Sequence, residues 1–286
     1  MTVIDWIVTR KCNLNCFYCL QGTDTRHEPC TAIDTSFLKL AVPGQYAFHL
    51  TGGEPLLVPN IGEICSMVAA TSNHLSLNTN LTIDPTRVIE SVEPKDVSFI
   101  NASVHYPYRK KSISKYVEHY KLLREKGFFV VGSCVMEPES FDDIVTFIDD
   151  IRTKHGIMVF PKMMRGICGK QSYPEAYSEK QISELNRLNV IARAEAESFN
   201  PSGWEQLALH SPSIDSWGKQ GITTGLSSYC FDGIQAIHLD SNGDWIKCDN
   251  ECIGNVYQVG FLPLKNLRSC RHSIICGAKT YCNKTE

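Results

Sequence analysis

Short apolar runs alternate with longer amphipathic stretches over the first 160 residues. The runs VIDWIV (3–8), YAFHLT (46–51), HLSLNT (74–79), VSFINASV (97–104), FFVVGSCV (128–135) and IMVFP (157–161) have the length and β-branched content of buried strands. Between them, segments 34–41, 61–71, 84–91, 112–126 and 139–154 carry apolar residues at helical spacing. Gly127 marks a helix stop, and the next strand follows at once. Six strands, each followed by a helix, predict an α/β fold with a mostly parallel sheet and right-handed crossovers. Eight such units close a full barrel. Six predict a partial (β/α)6 TIM-like barrel over residues 1–200, with the helix at 178–199 completing its wall.

Beyond that helix the pattern changes. Residues 201–229 are rich in Ser, Gly and Pro and read as a linker. The segment 230–286 holds six cysteines and a hairpin signal, IQAIHLDSNGDWIKC, with Asn242-Gly243 at the turn. It reads as a small cluster-bearing appendage.

Composition narrows the classes. The chain has 286 residues, a formal charge of −3 and 43% hydrophobic content. A weakly acidic chain lacks the clustered basic surface a nucleic-acid partner needs. The dense basic run Arg109-Lys110-Lys111 reads as solvated. No window approaches 18 consecutive apolar residues, so no membrane span is expected. The first residues, MTVIDWIVTRKC, lack the pattern of a signal peptide, and a cytoplasmic location follows as the expectation. A reducing compartment does not keep disulfides, so thirteen cysteines point to metal or cluster ligation.

Cys12, Cys16 and Cys19 stand in a CxxxCxxC spacing directly after the first strand, on the face where barrel enzymes build their active sites. A structural zinc site is one reading, although zinc normally takes four protein ligands from two knuckles. A [4Fe–4S] cluster held by three cysteines keeps one iron open. With Tyr18 before the last cysteine, the motif resembles the signature of the radical S-adenosylmethionine (SAM) superfamily. The stretch Gly52-Gly53-Glu54-Pro55 after the second strand agrees with that resemblance. Glycines allow close backbone approach, and a carboxylate can pair with the SAM ammonium.

The resemblance implies further contacts. Asn78 and Asn80, in LNTNLT, would meet the SAM ribose, although Leu81 stands where a glycine is usual. Ser103 and Arg165 would meet its carboxylate, and the backbone near Tyr18 its adenine. The implied chemistry is reductive cleavage of SAM to a 5′-deoxyadenosyl radical that takes a hydrogen atom from substrate. An electron donor such as flavodoxin or ferredoxin is the implied partner.

Cys230, twelve residues, Gly243, four residues and Cys248 match the element that opens the SPASM and twitch auxiliary-cluster domains of this superfamily. Six tail cysteines suffice for one auxiliary [4Fe–4S] cluster but not two. Cys230, Cys248, Cys270 and Cys276 are the expected ligands, Cys282 is the reserve, and Cys252 is left out; a zinc ribbon is the alternative. Cys65 reads as core packing. Cys134 and Cys168 are candidate hydrogen-atom donors, and His105, His49 and Lys162 candidate bases. A closed auxiliary cluster suits electron relay. The expected substrate is a ribosomally made peptide that is crosslinked, epimerised or oxidised, with oxidation of a small alcohol or amino sugar as the alternative. A non-enzymatic iron–sulfur or zinc protein is the rival from another class.

Overall fold

The computed structural model describes residues 2–19, 27, 29–201, 229–230, 236–246, 252–261, 268–269 and 282–283. All six expected strands form: β1 (Thr2–Thr9), β2 (Tyr46–Gly52), β3 (His74–Thr79), β4 (Val97–Ser103), β5 (Val130–Met136) and β6 (Val159–Met163). They lie in chain order and pair in parallel.

The helices α1 (Ile61–Ala70), α2 (Thr86–Ile89), α3 (Tyr106–Arg109), α4 (Ser114–Glu125), α5 (Phe141–His155) and α6 (Glu179–Phe199) fill the connections. Two expected helices shrink. Segment 34–41 forms only a 3-10 turn at Ser36–Leu40, where Asp34 accepts from Ser36 N at its start. In 84–91 a single turn forms, because Asp84 caps Thr86 N and Pro94 follows closely. A capping box between Ser178 and Gln181 sets the start of α6.

The periodicity missed a two-stranded ribbon of β7 (Gly166–Cys168) and β8 (Gln171–Tyr173) just past β6. It also gave no sign of how the C-terminal hairpin attaches. Strands β10 (Ala236–Leu239) and β11 (Asp244–Ile246) pair as expected around Asn242-Gly243. There Asp240 Oδ1 accepts from Asn242 N and Asp244 N. But β10 also runs parallel to β1, placing Asp5 opposite His238, and β12 (Cys252–Asn255) follows β11. The open nine-stranded sheet therefore has the order β12-β11-β10-β1-β2-β3-β4-β5-β6. Trp245 anchors the addition: it is buried, and its Nε1 donates to Gly260 O at 2.9 Å.

Alternation along each strand separates two faces. Ile4, Trp6, Phe48, Leu50, Leu77, Ile100, Val130 and Val159 share a core with residues of α1, α4 and α5. On the opposite face Phe99, Phe129, Val131, Met158 and Phe160 pack against Ala192 and Ala196 of α6. So α6 meets both sides: Ala192 and Ala196 cover the inner side of β4–β6, while Leu185 and Leu188 join the helix-side core and Arg187 and Glu195 pair with Asp149 and Arg152 of α5. Toward β1–β4 that inner face is polar. His49 meets Ser76 at 2.7 Å, Asn78 donates to Thr51 at 3.3 Å, and Asn101 donates to Asn78 at 2.6 Å.

Candidate active site

The carboxyl ends of β1 to β6 carry the candidate groups on one edge of the sheet. Cys12, Cys16 and Cys19 are free thiols on the loop after β1; Cys16 is buried and the others are partly covered. Leu14 N donates to Cys12 Sγ at 3.4 Å, and Asn80 Nδ2 lies 4.0 Å from the same sulfur. Cys16 Sγ lies 3.3 Å from His105 Nδ1. N–H groups close to these sulfurs suit thiolate ligands. Among the described residues, no three His, Cys, Asp or Glu side chains gather tightly enough to hold one metal ion.

The glycines after β2 serve the cysteine loop directly. A Cβ on Gly52 would stand 2.2 Å from Thr9 O, and one on Gly53 2.1 Å from Lys11 O. Two backbone bonds cross this contact: Gly53 N to Thr9 O at 2.8 Å and Glu54 N to Lys11 O at 2.9 Å. The close approach anticipated for a ligand is thus an approach to the chain leading into the cysteines.

Glu54 is fully buried and does not turn outward to meet an ammonium, which corrects the expectation. Its carboxylate accepts from Leu56 N at 3.0 Å, Thr79 Oγ1 at 2.7 Å and Asn80 N at 2.6 Å, tying β2 to the β3 loop and capping the turn that Pro55 begins. Burial pushes this carboxyl up, while those bonds and the nearby Arg109 pull it down.

Asn78 stays partly exposed on the inner face, its side chain bridging Thr51 and Asn101. Asn80 links the loops: it donates to Asn13 Oδ1 at 3.0 Å, and its Oδ1 accepts from Thr82 N at 2.9 Å. Leu81 adopts φ 50°, the left-handed backbone a glycine would take, yet buries its side chain completely. Ser103 ends β4 opposite Ser133 at the rim, partly exposed, and Arg165 follows β6.

Residues the sequence did not single out complete the site. Arg109, expected to be solvated, is buried, and its Nη2 donates to Asn80 O at 2.8 Å. Tyr108 Oη accepts from Asn15 N at 2.9 Å. Their only signal in the sequence was position, a few residues beyond the end of β4. Cys30 Sγ sits 3.5 Å from Thr9 Oγ1.

The other thiols separate. Cys65 is core packing, as expected, and burial pushes it up to about 12. Cys134 shares the parity of Gly132, whose missing Cβ would face the Tyr116 hydroxyl of α4. It therefore points to the helix side, 1% exposed and pushed up to about 12 by burial, and does not open on the reacting face as expected. Cys168, on β7, is partly exposed with Glu139 Oε1 4.0 Å away. Burial and the neighbouring Arg165 lower Lys162 to about 8.

In the tail, β9 (Tyr229–Cys230) pairs with β13 (Arg268–Ser269) and with β14 (Cys282–Asn283), and the register sets Cys282 directly opposite Cys230. Cys248, Cys270 and Cys276 lie outside the described residues. No described helix is long and apolar enough to cross a membrane.

Comparison with known proteins bears on the family and the fold. A family model described as the radical SAM superfamily matches residues 6–151, just over half of the 286. The AdoMet-dependent heme synthase of Methanosarcina barkeri (strain Fusaro / DSM 804) is 30% identical over 107 residues, 36% of this chain. The match spans only 30% of that relative's length. Two solved structures share the fold at 15% identity. One, described as native anSMEcpe with bound AdoMet and Cp18Cys peptide, has a TM-score of 0.58 and is matched over 91% of this chain and 78% of its own. SuiB of Streptococcus suis has a TM-score of 0.59, over 91% of this chain and 65% of its own.

Proposed function

The chain belongs to the radical SAM superfamily, and from that premise we propose that Cys12, Cys16 and Cys19 hold a [4Fe–4S] cluster whose open iron takes SAM. Bound there, the cluster supplies the electron that cleaves SAM, yielding a 5′-deoxyadenosyl radical that abstracts hydrogen from substrate. The observation carrying this reading is the direct bonding of Gly53 and Glu54 to the backbone leading into the three cysteines. It makes the two motifs one construction. Gly52, Gly53, Pro55, Tyr18, Asn78, Asn80, Ser103 and Arg165 border the SAM site, while Glu54 acts by holding the backbone around it.

Cys230 and Cys282 belong to an auxiliary [4Fe–4S] cluster that relays electrons. Their opposed register supports moving Cys282 from reserve to ligand. The leading substrate is a peptide, a reading supported by the shared fold with a structure described as holding AdoMet and a peptide. Oxidation of a small alcohol or amino sugar is the second reading. Lys162, which loses its proton more readily than a solvated lysine, favours a deprotonation step in either case. Flavodoxin or ferredoxin would supply the electron.

The test is anaerobic reconstitution with iron and sulfide, followed by dithionite and SAM. Production of 5′-deoxyadenosine by the wild type, lost in Cys16→Ala, is the expected result; none from an iron-loaded wild type sinks the proposal.

A further inference from the structure

The loop after β4 meets the cysteine loop directly at His105 and Tyr108, and through Asn80 at Arg109. His105, extended at φ −95°, ψ 93°, precedes α3 and sends its ring between Cys16 and Tyr18. Its Nδ1 lies 3.3 Å from Cys16 Sγ and 3.1 Å from Tyr18 Oη. The His105 and Tyr18 rings are near-parallel, 13° apart with centroids 6.2 Å apart. Three and four residues on, Tyr108 holds Asn15 N and Arg109 holds Asn80 O. Asn80 in turn holds Asn13.

We propose that His105 is a positioning residue that donates its Nδ1–H to the sulfur of Cys16, fixing that ligand's orientation and setting the reduction potential of the cluster. This rests on the reading of Cys16 as a cluster ligand. The donor assignment follows from elementary chemistry. A sulfur bound to iron carries no proton and only accepts, so a ring nitrogen at 3.3 Å makes a favourable contact with it only by donating. The neutral tautomer protonated at Nδ1 does this without adding a charge. Tyr18 completes the triangle. Its Oη lies 3.1 Å from the same nitrogen, so with Nδ1 protonated it can only accept there.

The three sulfurs are then unequal. Cys12 receives backbone Leu14 N–H at 3.4 Å and has the Asn80 amide at 4.0 Å, whereas Cys16 has an imidazole nitrogen at 3.3 Å. Hydrogen bonds to cluster sulfurs favour the reduced, more negative state and raise the potential.

The experiment is a potentiometric titration of the reconstituted full chain followed by electron paramagnetic resonance. The N-terminal cluster's signal is assigned by its loss in a Cys12→Ala/Cys16→Ala/Cys19→Ala variant. For His105→Ala we expect wild-type iron content, with the reduced-to-oxidised ratio at fixed potential shifted about tenfold toward oxidised, about 59 mV for a one-electron couple. His105→Gln, which keeps an N–H donor, should recover much of that shift. Iron lost in Ala but retained in Gln also supports the donor role. An unchanged midpoint in an iron-loaded His105→Ala overturns the inference while leaving the cluster site standing. Iron lost in both variants overturns it too, by making His105 a ligand. A wild type without a three-cysteine cluster removes the reading on which the inference rests.

Discussion

Replacing Gly53 by alanine tests the contact on which the site depends. The added Cβ would stand 2.1 Å from Lys11 O and 2.5 Å from Lys11 C, where ordinary contact begins near 3.4 Å. Both neighbours are backbone, so no side chain can rotate away. The two segments must part by more than 1 Å, and the bonds Gly53 N to Thr9 O and Glu54 N to Lys11 O, at 2.8 and 2.9 Å, lengthen beyond use. Each net backbone bond is worth about 0.5–1.5 kcal/mol. Forced overpacking adds about 1–3 kcal/mol. The sum, roughly 2–6 kcal/mol, is large against a typical stability of about 5–15 kcal/mol. The strain falls on the cysteine loop, so iron uptake should fall with it. Urea unfolding followed by circular dichroism measures the first effect, and iron analysis after anaerobic reconstitution the second. Gly156→Ala is the contrast: φ is 66° and nothing lies within 4 Å, so about 1–2 kcal/mol of conformational strain is expected with iron uptake unchanged. A Gly53→Ala protein within about 1 kcal/mol of wild type, loading iron normally, would refute the reasoning.

Arg109→Met should cost about 1–3 kcal/mol in urea unfolding, because it strips the donor from Asn80 O and the nearby positive charge from buried Glu54. A change within error would show that Arg109 is not part of the support. Lys162→Met should stabilise the protein at pH 7, since the folded state holds this lysine near 8 against 10.5 in the free side chain. From about 8 to 10.5 the unfolded chain keeps a proton the folded one has lost, so wild-type stability should climb with pH there and the Met variant should lack that slope. Water reaching the half-buried side chain limits the effect to on the order of 1–3 kcal/mol; parallel profiles in urea melts at several pH values would count against it. Cys282→Ala should lower reconstituted iron from about eight to about four per chain, and Cys252→Ala should not. Equal retention in both removes Cys282 from the ligand set.

The six parallel strands were legible because each is a compact apolar run that core burial demands. The cysteine and GGEP motifs were legible because three thiols and two adjacent glycines are rare in sequence. Less could be read where a residue's role depends on parity or on a distant partner. Cys134 and Asn101 lie on facing strands, yet opposite parity sends one to the helices and the other to the inner face. Arg109 reads as solvated beside two lysines, and only the fold shows Asn80 O within its reach. Glu54 looked like a ligand for an ammonium because its three internal donors come from residues 56, 79 and 80. The pairing of β10 with β1 spans more than 200 residues and left no local pattern.

The central claim is an iron with an open coordination position held by Cys12, Cys16 and Cys19. Adding SAM to the dithionite-reduced protein while recording the electron paramagnetic resonance of the N-terminal cluster tests it most directly. The account predicts a saturable change in that signal, at one SAM per chain, as the amino and carboxylate groups occupy the open iron. A reduced cluster whose spectrum is indifferent to SAM would contradict it.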